Sequence, residues 1–241
     1  MNNVCTLVRN IAREQEHKII KVYQFNVVDN VYIDFYITTK DSFEYYIIID
    51  CDLSNLGDVN NSIQIALSTK LRAHLDRNLD IKNLPFTLSH YFEKNTCIIV
   101  TSKVKDEVSS ADVYKFISLV EEDSYYFKKQ VIYFNDEELS FCDNLILSED
   151  NITEYCGRNI SKIDKYEKYI LNNDLEYGFL SKLYEKIPFL NLSVTEQDLL
   201  NLDDMIKSKL TAEETNLLSQ LELLSDEEKI DQWISSLEVE K

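Results

Sequence analysis

Three carboxylates are the side chains best placed to do chemistry. Glu44 opens and Asp50 and Asp52 close the run EYYIIIDCD. Acids at the ends of a strand can hold a divalent cation that activates water, which would make the chain a metal-dependent hydrolase or nuclease. Nucleases of the restriction-endonuclease class add a lysine in an E-x-K or D-x-K pattern to position that water, and this run has none. Aspartates at a strand end also serve simply as turn formers. His17, His74 and His90 stand at no two-ligand spacing. Cys5, Cys51, Cys97, Cys142 and Cys156 are odd in number, scattered and never arranged as C-x-x-C. They read as buried free thiols in a reducing compartment. Only three glycines occur (Gly57, Gly157 and Gly178), so neither G-x-x-x-x-G-K nor G-x-G-x-x-G can be built. No phosphate-cradling loop and no cofactor is therefore expected. If ATP is used, another subunit binds it.

A second set of residues is marked by charge and aromaticity. Between Ser109 and Ser140 the chain reads SSADVYKFISLVEEDSYYFKKQVIYFNDEELS. Ser109 and Asp112 stand at capping-box spacing, and Val113, Phe116, Ile117 and Val120 fall at i, i+3, i+4 and i+7, which predicts a core helix with those four inward. The helix should end near Glu121, Glu122 and Asp123. Three acids at the negative end of a helix dipole each cost up to about 1 kcal/mol unless a cation answers them. Lys128 and Lys129 are the expected answer. Tyr125, Tyr126 and Phe127 lie between acids and bases, Val131–Phe134 predicts a short buried strand, and Asn135 with Glu138 opens the next helix. Such an open breach of a local rule is either compensated by the fold or kept for a partner.

The run VEEDSYYFKKQVIYFNDEEL resembles the segment that marks the middle component of three-component systems built on an SMC-like ABC ATPase, including the Lamassu type of bacterial defence. Glu121, Glu122, Asp123, Tyr125, Tyr126, Phe127, Lys128 and Lys129 carry the resemblance, with Ser124 where the pattern has proline and Gln130 where it has an aromatic. It extends over residues 20–140. The resemblance implies a non-catalytic adaptor that bridges the ATPase and an effector, often a nuclease, in a prokaryotic anti-phage or anti-plasmid complex. In that reading Glu121–Asp123 and Tyr125–Lys129 either shape a sheet edge or face a partner.

The elements that must position these groups follow from periodicity. A short helix over Val4–Glu16 precedes three predicted strands at residues 19–27, 31–39 and 44–50, then a polar loop over 51–61 and a helix to Asp80 with Ile63, Leu67, Leu71 and Leu75 inward. Residues 81–95 are irregular around Pro85, and TCIIVT (96–101) predicts another buried strand. The order argues for an α+β domain over residues 1–140, with an antiparallel or mixed sheet of about five strands and helices on one face. A helical C-terminal region over 141–241 is expected to pack on it. Thr195 with Asp198, Thr211 with Glu214 and Ser225 with Glu228 give capping-box starts near the end. Ile230, Trp233, Ile234 and Leu237 form an amphipathic face that packs on the body or enters a partner groove with the tryptophan as anchor.

The formal charge of -18 disfavours unaided nucleic-acid binding and favours a basic partner surface. Acidity grows along the chain, with half of that charge in residues 195–241. No signal-peptide core and no apolar run long enough to span a bilayer is present, so no membrane association and a cytoplasmic location are expected.

Overall fold

The computed structural model describes residues 1–78, 84–105, 108–172, 174–192, 206, 208–211 and 214–215. Residues 1–192 form one compact unit and residues 193–241 a second. The first unit opens with α1 (Asn3–Glu14), followed by β1 (Lys18–Val28), β2 (Val31–Thr39) and β3 (Tyr45–Asp50). A stepwise helical run from Leu53 to Ile63 includes α2 (Leu56–Asp58) and continues into α3 (Gln64–Asn78). The polar loop predicted for 51–61 is thus largely helical, because Leu53, Leu56 and Val59 bury their side chains in the core beneath it. Then come β4 (Thr96–Lys103), α4 (Ser110–Glu121), β5 (Lys128–Phe134), α5 (Asp136–Ser148), α6 (Ile152–Ile160), α7 (Ile163–Asn172) and α8 (Leu175–Lys186).

The α+β class and the five-stranded mixed sheet are as the sequence predicts. Its order is β1-β2-β3-β4-β5, antiparallel from β1 to β3 and parallel from β3 to β5. Helices cover both faces, however, and not one. On the first face Ile20, Val22, Phe35, Ile37, Tyr45, Ile47, Ile49, Ile98 and Val100 meet Leu67, Leu71 and Leu75 of α3 and Val113, Ile117 and Val120 of α4. Both parallel connections place their helices there, as right-handed crossovers running in one direction must. On the second face Tyr36, Tyr46, Ile48, Ile99, Ile132 and Phe134 meet α1, α5, α6 and α8. The cause is visible in β3 and β4: YYIIID and TCIIVT are apolar at both parities, and a strand of that kind needs cover on each side.

Two loop bonds fix which way the backbone of each strand points. Cys51 N–H donates to Thr101 O at 3.0 Å and Val104 N–H to Phe134 O at 2.8 Å. Successive residues alternate in direction, so the registers leave Ile19 and Lys21 of β1, and Lys129, Val131 and Tyr133 of β5, facing away from the sheet. In the second unit Thr211 and Glu214 make the expected reciprocal cap, Thr211 N–H to Glu214 Oε2 at 2.8 Å and Glu214 N–H to Thr211 Oγ1 at 3.3 Å. Thr195, Asp198, Ser225, Glu228, Ile230, Trp233, Ile234 and Leu237 lie outside the described residues.

Candidate functional site

The α4–β5 junction is built from the helix outward. Ser109 caps α4 by accepting the Asp112 N–H at 3.2 Å, and Val113, Ile117 and Val120 face inward. Phe116, expected among them, is 41% exposed and lines a cleft of about 670 Å³ with Leu53, Lys103, Lys105 and Val108. At i+3 from Val113 it lies on the flank of the buried stripe formed by Val113, Ile117 and Val120.

The helix ends at Glu121, and the acids there part company. Glu121 Oε1 accepts the outward Val131 N–H of β5 at 2.8 Å, while its Oε2 accepts from Lys186 of α8 at 2.9 Å. Glu122 is exposed. Asp123 turns inward, accepting from Tyr125 N–H (3.0 Å), Gln64 Nε2 (2.8 Å) and Lys129 Nζ (3.1 Å). Burial alone would raise the Asp123 carboxyl, but these donors together hold it below the usual carboxylate value.

Lys129 is the centre of the junction. Its side chain has no solvent exposure, and its ammonium donates to Asp123 Oδ2, to Asp123 O (3.0 Å) and to Tyr125 O (3.0 Å). An ammonium has three protons, so every donor is used. The lysine thereby clamps a turn whose middle residue is unusual. Phe127 N–H bonds back to Tyr125 O at 2.7 Å, and Tyr126 between them has φ 56°. That is a γ-turn of the left-handed kind, which is rare and strained for an aromatic residue. Phe127 is buried and meets Phe92 edge-on at 5.9 Å. Tyr125 and Tyr126 are 71% and 49% exposed, beside exposed Glu122 and Lys128. The expected run therefore divides into an inner set (Glu121, Asp123, Phe127, Lys129) and an outer set (Glu122, Tyr125, Tyr126, Lys128). Lys128 answers none of the acids; Lys129 and the distant Lys186 do.

The junction also closes one edge of the sheet. Glu121 fills Val131 N–H, and Lys182 of α8 donates to the outward Tyr133 O at 2.8 Å while pairing with Glu138 at 2.9 Å. Lys182 and Lys186, one helical turn apart, strap α8 along the β5 edge. Sequence reasoning missed these partners, which lie 44 and 65 residues from Glu138 and Glu121. The i, i+4 lysine pair is the only local sign of them.

The carboxylates with catalytic promise are not brought together. Glu44 and Asp50 stand at opposite ends of β3, six residues or roughly 20 Å apart. Glu44 accepts the Tyr46 hydroxyl at 2.9 Å. Asp50 accepts Asn2 N–H at 2.9 Å and Asn2 Nδ2 at 2.6 Å, tying the end of β3 to the start of α1, and Asp52 is exposed. Among the described residues no group of three His, Cys, Asp or Glu side chains is placed to hold a metal. All five cysteines are buried and unpaired, with burial pushing each thiol up to about 12, so none presents a thiolate near neutral pH. His17 is buried with Nδ1 3.0 Å from Thr38 Oγ1, and His74 packs edge-on against Phe25 at 5.1 Å. No described helix is long and apolar enough to cross a membrane.

Comparison with known proteins bears on the same stretch. A family model for middle component 1 of the ABC-three component (ABC-3C) systems matches residues 35–155, from within β2 through β3, α3, β4, α4, β5 and α5 into α6. No curated protein and no solved structure matches the chain. With half of its length under that match, and the α4–β5 junction inside it, the chain belongs to the ABC-three component system middle component 1 family.

Proposed function

We propose that this middle component is a non-catalytic adaptor, joining an SMC-like ABC ATPase to an effector, often a nuclease, in a prokaryotic complex that acts against phage or plasmid DNA. The observation that carries the reading is the division of the α4–β5 junction. A buried lysine and the carboxylate of Asp123 hold a strained turn rigid, and the product of that expense is a pair of exposed tyrosines. Strain of about 1–3 kcal/mol at a non-glycine residue persists only where surrounding structure over-determines it, and it concentrates at binding sites. Tyrosines on a rigid backbone suit protein recognition, because they bring a large amphipathic surface with few rotatable bonds to freeze.

In this reading Glu122, Tyr125, Tyr126 and Lys128 touch the partner. Asp123, Phe127 and Lys129 serve it by holding the turn, and Glu121 by shaping the adjoining β5 edge. Ile230, Trp233, Ile234 and Leu237 offer a second contact. The chemistry of the complex, ATP hydrolysis and cleavage, belongs to the companions.

Co-expression with the ATPase and the effector tests this. The wild-type chain co-purifies with both, whereas Tyr125→Ser/Tyr126→Ser loses one of them by at least about tenfold in affinity while its melting temperature stays within a few degrees. A chain that stays alone beside its companions, or a double variant that assembles as well as wild type, would defeat the respective part of the proposal.

A further inference from the structure

The two edges of the sheet are treated differently. On β5, outward groups of Val131 and Tyr133 are filled by Glu121 and Lys182. On β1, the stretch beyond the irregular register between Val22 and Phe25 is also engaged: Lys70 donates to Val27 O at 2.9 Å, and Gln24, with φ 49°, donates its N–H to Asp34 Oδ1 at 2.8 Å. Ile19 and Lys21 precede that irregularity. Their outward N–H and C=O groups have no hydrogen-bond partner among the described residues. A row of free backbone groups on an edge strand is a template for another strand.

The side chains around the open stretch have a sign. Lys18 is exposed at its start, and Lys21 lies over the rings of Tyr23 (4.5 Å) and Tyr36 (5.6 Å). Arg9 of α1 lies over the Tyr36 ring from the same face at 5.6 Å. Asp34, whose charge acts on Lys21, is taken up by the Gln24 N–H, and with Lys21 and Arg9 both cationic the α1 side of this edge stays locally positive within a chain of net charge -18. A lysine on an edge repels a basic strand and resists desolvation against a neutral one, and the bulge limits pairing to a few residues, so the features that prevent indiscriminate pairing also select an acidic one.

We infer that the β1 edge at Ile19–Lys21 is a strand-addition site for a short, extended, acidic segment of a partner protein. The backbone of that segment pairs with Ile19 and Lys21, and its carboxylates stand against Lys21 and Arg9 on the α1 side of the sheet. The site lies four strand spacings, roughly 19 Å, from the tyrosine turn that leads into β5. An adaptor with contacts at opposite sheet edges can hold two proteins at once; only the partner's membership of the same complex rests on the adaptor reading.

The test uses the full chain and two synthetic heptapeptides, one alternating Glu and Val and one alternating Lys and Val, followed by amide exchange. The Glu-Val peptide slows exchange at Ile19 and Lys21 saturably, and the Lys-Val peptide binds about tenfold more weakly or not at all. Lys21→Pro removes one outward donor at a position whose N–H points away from β2, and abolishes the protection. Lys21→Glu, which leaves the backbone intact, shifts the preference toward the Lys-Val peptide. No protection at Ile19 and Lys21 with excess peptide, equal binding of both peptides, or unchanged binding by both variants overturns the inference. Protection that grows with protein concentration and no peptide makes a second copy of the chain the occupant, and overturns it too. A chain that binds the peptide but never co-purifies with its companions refutes the adaptor reading and leaves the edge site standing.

Discussion

Lys129 buries an ammonium and uses all three of its protons on the turn that precedes it. Lys129→Met keeps the volume and leaves a carboxylate and two carbonyls without their donor, which should cost about 3 kcal/mol, read from the urea midpoint. Tyr126 works in the opposite direction. Tyr126→Asn places a residue that tolerates positive φ at 56°, and should raise stability by roughly 0.5 kcal/mol while weakening partner association. A stabilised variant with lost binding would show that the strain is there for display. His17 gives a pH dependence. Burial, and then the charge of Lys40, holds it below its ordinary value of 6.5. The unfolded chain therefore takes up a proton that the folded chain resists, so stability is complete above the unfolded value and falls as pH drops toward the folded one. His17→Gln should flatten the loss of stability between about pH 7.5 and 5.5. His74, lowered by burial as well, should keep part of it.

At the scale of elements, Glu121 belongs to three of them, ending α4, capping an outward N–H of β5 and pairing with α8. A carboxylate at the negative end of its own helix is unfavourable, and two partners from other elements reverse the balance. Glu121→Ala should cost about 1–3 kcal/mol, and amide exchange at Val131 should accelerate more than elsewhere in β5. Uniform acceleration along β5 would mean that α8 alone, and not this carboxylate, guards the edge. Asp123 follows the same logic with the opposite sign to a buried, unpaired acid. Its carboxyl is held low, so the stability that it contributes is present above the ordinary carboxylate range and lost as pH falls through its folded value.

For the molecule as a whole, a charge of -18 means that association with a basic surface is steered from a distance and screened by salt. Raising ionic strength from about 0.05 to 0.5 M should slow assembly with the proposed companions by tenfold or more and change dissociation less. Contact through the apolar parts of the tyrosines alone would leave the association rate nearly independent of salt.

The sequence by itself determined whatever depends on neighbours along the chain. Period-two alternation marked β2, capping spacings placed α4 and α5, and the acid-aromatic-lysine run gave the family. Tertiary structure decided where one residue type has two uses. Nothing in EED says that Glu121 and Asp123 turn in while Glu122 turns out, since two of the donors that separate them, Gln64 and Lys186, come from remote helices. The continuous apolar character of β3 and β4 required two covered faces, but the second cover comes from α1, α5, α6 and α8, distant in sequence. Glu44 and Asp50 were candidates together only because six residues look close in a line, and an extended strand drives them to opposite ends of the sheet. Side-chain spacing is written locally; which backbone edge stays open depends on what the whole chain has left to cover it.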